Sequence, residues 1–265
     1  MHIIENYREN RSSAIKKLPL NSISEFLSKN VLGKLKEAKK QARRPIISDI
    51  DDALLHAEPW LRARLNAYFL NQVPNFKPVS LNDVLEAGGR YFQVQRLQDA
   101  AEILGKKFSQ IWKELDSDPE IYSFMRPTQS RQQMVKDFTD NGFSVVGYLT
   151  ARPDSLMEIT AKSLAYFEFD EAPVINTNGS SADPSDAKVK FFEGLLSQTT
   201  IQDPIIFIDD HVNTALAIQK RLERRVIPVV PIVPRNENMI ETLKKHDVLY
   251  GFPHELCSLV LRRLS

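Results

Sequence analysis

Two short stretches carry acids where a folding chain rarely leaves them. Asp49, Asp51 and Asp52 close the apolar run Pro45-Ile46-Ile47-Ser48, and Asp209-Asp210 closes Pro204-Ile205-Ile206-Phe207-Ile208. β-Branched runs of this length read as buried strands. Carboxylates at the end of a buried strand are costly unless they are paired, hydrogen-bonded or bound to a cation. Oxygen donors of this kind suit a hard divalent ion. Alternate side chains of an extended chain share a face, so Asp49 and Asp51 can project into one crevice. The plainer reading of Asp49 to Asp52, taken alone, is a solvated acidic turn.

The elements that must position these acids alternate. Residues 1–20 are polar with little periodicity and read as a loosely held arm. Ser22 to Glu25 has capping-box spacing, and Ile23, Phe26, Leu27, Val31 and Leu35 continue at helical spacing. A basic run follows (Lys34, Lys36, Lys39, Lys40, Arg43, Arg44), with Glu37 its single acid; it reads as a solvated helix face rather than a phosphate or partner site. Beyond the first acids, residues 57–125 read as about four helical segments, too long for a plain connection. Trp60, Leu61, Leu65, Tyr68 and Phe69 are the first apolar set of this insert, and its aromatics are expected to form its own core.

An α/β rhythm resumes after Pro127. A helix through Met134, Val135 and Phe138 stops at Asn141-Gly142, and Phe143 to Leu149 reads as a strand ending in Thr150-Ala151-Arg152-Pro153. Ala172 to Asn176 and Pro204 to Ile208 are further strands, and a helix holding Lys188 and Lys190 lies between them. The prolines in Val226 to Val233 suggest an edge strand. Leu256 to Leu264 is the last helix and contains the lone cysteine, Cys257, read as a packed thiol. Strands alternating with helices imply a Rossmann-like, three-layer parallel sheet, with ligands beyond the carboxyl ends of the strands.

Composition narrows the classes. The chain has 265 residues, 42% hydrophobic and 26% charged, and a net charge of +1. That balance gives no argument for a nucleic-acid or membrane-surface partner. One cysteine excludes an intrachain disulfide and favours a reducing compartment. The first residues lack the basic and apolar regions of a secretory signal, so the cytoplasm is the expected location. No dinucleotide or P-loop glycine motif is present.

Four motifs in this order resemble the haloacid dehalogenase superfamily, most of whose members are Mg2+-dependent phosphotransferases. The resemblance covers roughly residues 45–233. Its Asp-x-Asp-x-Thr motif matches Asp49-Ile50-Asp51-Asp52-Ala53, its strand-end Thr or Ser matches Thr150, its lysine best matches Lys188 with Lys190 as the rival, and its acidic pair matches Asp209-Asp210. The resemblance implies a core of residues 45–56 and 126–265, an N-terminal arm and basic helix over 1–44, and residues 57–125 as a helical C1-type cap. It also implies a phosphomonoester hydrolase working through an aspartyl-phosphate. Asp49 would be the nucleophile and Asp51 the acid/base. Mg2+ would sit among Asp49, the carbonyl of Asp51 and Asp209, with Asp210 and Asn213 in support. Thr150 and Lys188 would bind the phosphoryl group of a small phosphorylated substrate. Arg152 is expected to brace its loop, His211 to start a helix, and Arg62, Arg64, Arg90 and Arg96 to be solvated rather than to meet an anion. Ala53 departs from the family's Thr or Val. The competing readings are a non-catalytic regulatory or interaction protein on the same fold and a phosphatase of nucleic-acid ends.

Overall fold

The computed structural model describes residues 20–56, 58–87, 91–116, 118, 122, 125–177, 183–200 and 202–265, with side chains from residue 30 onward. The arm over 1–19 and Arg90 lie outside the described residues; the first helix already includes Ser22–Glu25, so the capping box expected there does not start it. In chain order the elements are α1 (Leu20–Lys40), β1 (Arg44–Asp49), α2 (Glu58–Leu70), α3 (Leu81–Glu86), α4 (Gln95–Ile103), α5 (Phe108–Asp116) and α6 (Gln129–Asp140). Then come β2 (Phe143–Thr150), α7 (Met157–Tyr166), β3 (Val174–Asn176), α8 (Pro184–Ser197), β4 (Ile205–Ile208) and α9 (Val212–Leu222). The chain closes with β5 (Val226–Pro231), α10 (Ile240–Lys245), β6 (Leu249–Gly251) and α11 (Leu256–Leu264).

Six strands form one parallel sheet in the order β3-β2-β1-β4-β5-β6. Parallel sheets are covered on both faces, and the strands alternate accordingly. Ile46, Val145, Ile206 and Ile208 join the apolar layer containing α6, α11 and the insert residues. Ile47, Val146, Ile205 and Phe207 join the layer under α1, α8 and α9. In α1 this puts Val31, Leu35 and Ala38 against the sheet while Lys36, Lys39 and Lys40, and Arg43 just beyond the helix, stay exposed, the solvated face expected from the sequence.

α2 to α5 lie between β1 and β2 in the chain. Aromatic contacts pack the insert: the buried Phe69 and partly buried Phe76 ring centroids lie 5.2 Å apart, and half-exposed Phe92 meets buried Phe108 at 5.1 Å. Its two connections to the sheet run side by side, with the His56 N–H donating to the Arg126 carbonyl at 2.8 Å.

One expectation fails. β5 is not an edge strand, because β6, a three-residue strand without a clear sequence signal, pairs with its outer side. Its prolines are tolerated for a geometric reason. The Val229 carbonyl accepts from Asp209 N–H on the β4 side, and Ile232 N–H donates to Gly251 on the β6 side. Alternation turns Pro228 toward β6 before that strand begins, and Pro231 toward β4 beyond its last residue. Neither missing N–H interrupts a ladder.

Candidate active site

β1 and β4 are central neighbours, so their carboxyl ends open side by side. Asp49 is the last residue of β1, and Asp209 and Asp210 directly follow β4. All three are buried, and their carboxylate oxygens come within 4.8 Å of one another. Lys188 enters from α8 and places Nζ 2.8 Å from Asp49 Oδ1 and 2.8 Å from Asp209 Oδ2. The choice between the two lysines is a matter of helix face. Lys188 shares its face with Ser185, Phe192 and Leu195 and is buried, whereas Lys190 is exposed and pairs with Asp186 at 2.8 Å.

Two of three clustered buried acids hold one buried ammonium, and the electrostatics follow. Burial pushes the Asp49 carboxyl up to about 8; Lys188 opposes this, and Asp209, Asp210 and Asp51 reinforce it. For Lys188, burial disfavours the charge, but Asp209 and Asp49 outweigh it and hold the ammonium above its ordinary range. A cluster with more carboxylates than cations, built only of hard oxygen donors, fits a divalent metal ion such as Mg2+.

Asp51 stands apart from that cluster. Its carboxylate lies in the fork of Arg152, whose Nε donates to Oδ2 at 2.9 Å and whose Nη2 donates to Oδ1. Arg152 itself is buried, as expected of a bracing residue. Asp52 is also buried and adopts φ 57°, a left-handed conformation that Asp tolerates better than most residues. Its backbone N–H donates to the Leu55 carbonyl at 2.8 Å, and its Oδ1 accepts from the Glu58 N–H at 3.4 Å. Asp52 therefore shapes the loop between β1 and the insert. Ala53 has no exposed surface.

Thr150, the last residue of β2, is fully buried, and its hydroxyl accepts from the Arg152 backbone N–H at 3.1 Å. The hydroxyl's own proton remains a possible donor to a phosphoryl oxygen. His211 is the N-cap residue of α9; its N–H donates to Asp209 Oδ1 at 2.8 Å, and its Nδ1 lies 3.0 Å from Thr214 Oγ1. Asn213 is exposed on that helix. The described arginines of the insert are braces: Arg62 to Glu58, Arg64 to Asp118 and Arg96 to Asp83. Asn236, which the sequence reading did not single out, donates to the carbonyls of Asp210 at 2.8 Å and Pro231 at 3.0 Å. It ties the loop after β4 to the end of β5, and its only sequence trace is an Asn in a Pro-rich turn.

An α/β sheet of this order, with acids at the ends of its two central strands, a strand-end threonine and a buried helix lysine, is the arrangement that the resemblance to the haloacid dehalogenase superfamily implies. Solved structures similar to this chain include proteins described as phosphatases and hydrolases. One is a phosphonoacetaldehyde hydrolase-like protein from Oleispira antarctica, 11% identical with a TM-score of 0.55, covering 84% of this chain and 94% of that one. Another is a predicted phosphoglycolate phosphatase from Haemophilus somnus, 16% identical with a TM-score of 0.53, covering 84% of this chain and 98% of that one. A predicted phosphatase from Clostridium acetobutylicum is 12% identical with a TM-score of 0.54, covering 83% and 99%. At these identities the likeness is one of fold. No protein-family model matches the chain, and no curated protein matches it.

Proposed function

We propose that this protein is a Mg2+-dependent phosphomonoester hydrolase that works through an aspartyl-phosphate on Asp49. The observation that carries this reading is the meeting of Asp49, Asp209 and Asp210 at the carboxyl ends of β1 and β4, with Lys188 paired to Asp49 and Asp209. Asp49, Asp209, Asp210 and the Asp51 carbonyl would hold the ion. When bound, Mg2+ offsets the repulsion between these acids and the phosphoryl oxygens and draws charge from the reacting group.

The chain's own residues divide the remaining work. An Asp49 oxygen attacks phosphorus, the bond from phosphorus to the leaving oxygen breaks, and the Asp51 carboxyl gives that oxygen its proton. Asp51 then takes a proton from water, which attacks the aspartyl-phosphate and releases inorganic phosphate. Lys188, held between Asp49 and Asp209, faces charge developing on the transferred group. The Thr150 hydroxyl donates to a phosphoryl oxygen. The helical insert, as a C1-type cap, would cover the site and select a small phosphorylated substrate. No described helix is long and apolar enough to cross a membrane. With one cysteine in the chain, the proposed location is the cytoplasm.

The test is hydrolysis of p-nitrophenyl phosphate. Activity should require Mg2+, stop with EDTA and disappear in Asp49→Asn. Turnover that survives Asp49→Asn overturns the covalent mechanism. The non-catalytic alternative draws on buried Ala53 in the position of the family's Thr or Val. Metal binding without turnover on a broad phosphoester panel would favour it.

A further inference from the structure

We propose that Arg152 is the positioning residue for the acid/base, setting the direction of the Asp51 carboxylate from a buried seat built partly by the insert. This rests on the reading of Asp51 given above and concerns how that residue is controlled.

Arg152 is buried, though it follows a strand end that opens toward the site. Its guanidinium is held on every side. Nε and Nη2 fork the two oxygens of Asp51. Nη1 donates to Thr160 Oγ1 at 2.8 Å, and that hydroxyl in turn donates to the Leu156 carbonyl at 2.7 Å in the first turn of α7. Nη2 also lies 3.3 Å from Met125 Sδ, and the guanidinium carbon sits 4.3 Å from the Tyr122 ring centroid. Met125 and Tyr122 belong to the stretch that leads out of the insert, whereas Asp51 leads into it. One side chain thus touches both connections of the insert and the proposed acid/base.

The chemistry of the fork explains the role. A guanidinium presents parallel N–H donors in a plane and fixes a carboxylate in direction as well as distance, which an ammonium cannot do. Asp51 follows the end of β1 and its side chain is one-third exposed, so its own packing does not set its direction. Burying Arg152 is costly without such a partner and with it becomes tolerable. The carboxylate is therefore aimed by a residue of β2's end loop, which Thr160, Met125 and Tyr122 hold still.

The prediction concerns leaving groups. Proton donation by Asp51 matters for an alkyl phosphate, whose alkoxide is a poor leaving group, and little for p-nitrophenyl phosphate, whose phenolate leaves unprotonated. Arg152→Met should lower kcat for an alkyl phosphate by about 10- to 100-fold, the range for losing a residue that orients a reacting group, and by only a few-fold for p-nitrophenyl phosphate. Arg152→Lys keeps the charge but not the fork and should show the same bias. Combined with Asp51→Asn, Arg152→Met should add almost nothing. Thr160→Val loosens the guanidinium without removing it and should give a weaker form of the bias, so it carries the test if Arg152→Met does not fold. Uniform losses for both substrates in Arg152→Lys and Thr160→Val, or additivity with Asp51→Asn, would overturn the proposal. If Asp51→Asn itself shows no leaving-group bias, the assignment of Asp51 is what has failed.

Discussion

The electrostatic strain at Asp49 makes a prediction that needs no substrate. The perturbation is Asp49→Asn, an amide of nearly the same shape without the charge. In the metal-free protein the Asp49 carboxyl is pushed from 3.8 to about 8, so between these values the folded chain keeps a proton that the unfolded chain has released. The stabilisation linked to that proton is complete below the unfolded value and is lost as pH rises through the folded one. The slope is at most about 1.4 kcal/mol per pH unit for one proton. From pH 5 to pH 8 the ceiling is then about 4 kcal/mol, or roughly 8 °C in melting temperature for a chain of this size. Asp49→Asn carries no such proton. In EDTA the variant should gain several degrees on the wild type as pH rises from 5 to 8. Thermal melts across pH in EDTA read the difference directly, and taking the difference cancels the titrating groups that do not interact with Asp49. Saturating Mg2+ at pH 8 should raise the wild type, which gains a cation for its crowded acids, by more than it raises the variant. Parallel melting curves across pH, or a wild type that gains on the variant as pH rises, would refute the account of Asp49.

Other predictions follow from the same geometry. Lys188→Met removes the one cation between Asp49 and Asp209 and should cost about 3–5 kcal/mol in EDTA, the range for breaking a buried pair, with partial recovery on adding Mg2+; chemical denaturation checks it. Lys190→Met, at an exposed pair with Asp186, should change stability by no more than about 1 kcal/mol in the same assay. A Cβ on Gly147 would lie 3.1 Å from Ile175 Cδ1 and 3.5 Å from Val31 Cγ2, so Gly147→Val should overpack the junction of β2, β3 and α1 and cost about 1–3 kcal/mol in a denaturant titration. Asn236→Ala leaves the Asp210 and Pro231 carbonyls without that donor and should lower stability by about 1–3 kcal/mol while weakening Mg2+ affinity, read by calorimetry.

The sequence by itself determined the frame of this protein. Short continuous apolar runs ending in acids are readable because a buried strand must be apolar and a buried acid must have a reason. The face of α8 that carries Lys188 with Phe192 and Leu195 could be ranked from helical spacing alone. What the tertiary structure decided was pairing between distant parts of the chain. β6 has three residues and little pattern of its own; it is a strand because β5 offers it an edge, and its presence removes the edge that Pro228 and Pro231 had suggested. The convergence of Asp49 with Asp209 and Asp210 depends on β1 and β4 lying side by side, which no local periodicity specifies. The same holds for Arg152. It was legible as a brace, but its partner Asp51 is 101 residues away, and only the packing of β2's end loop against the roots of the insert brings the two together.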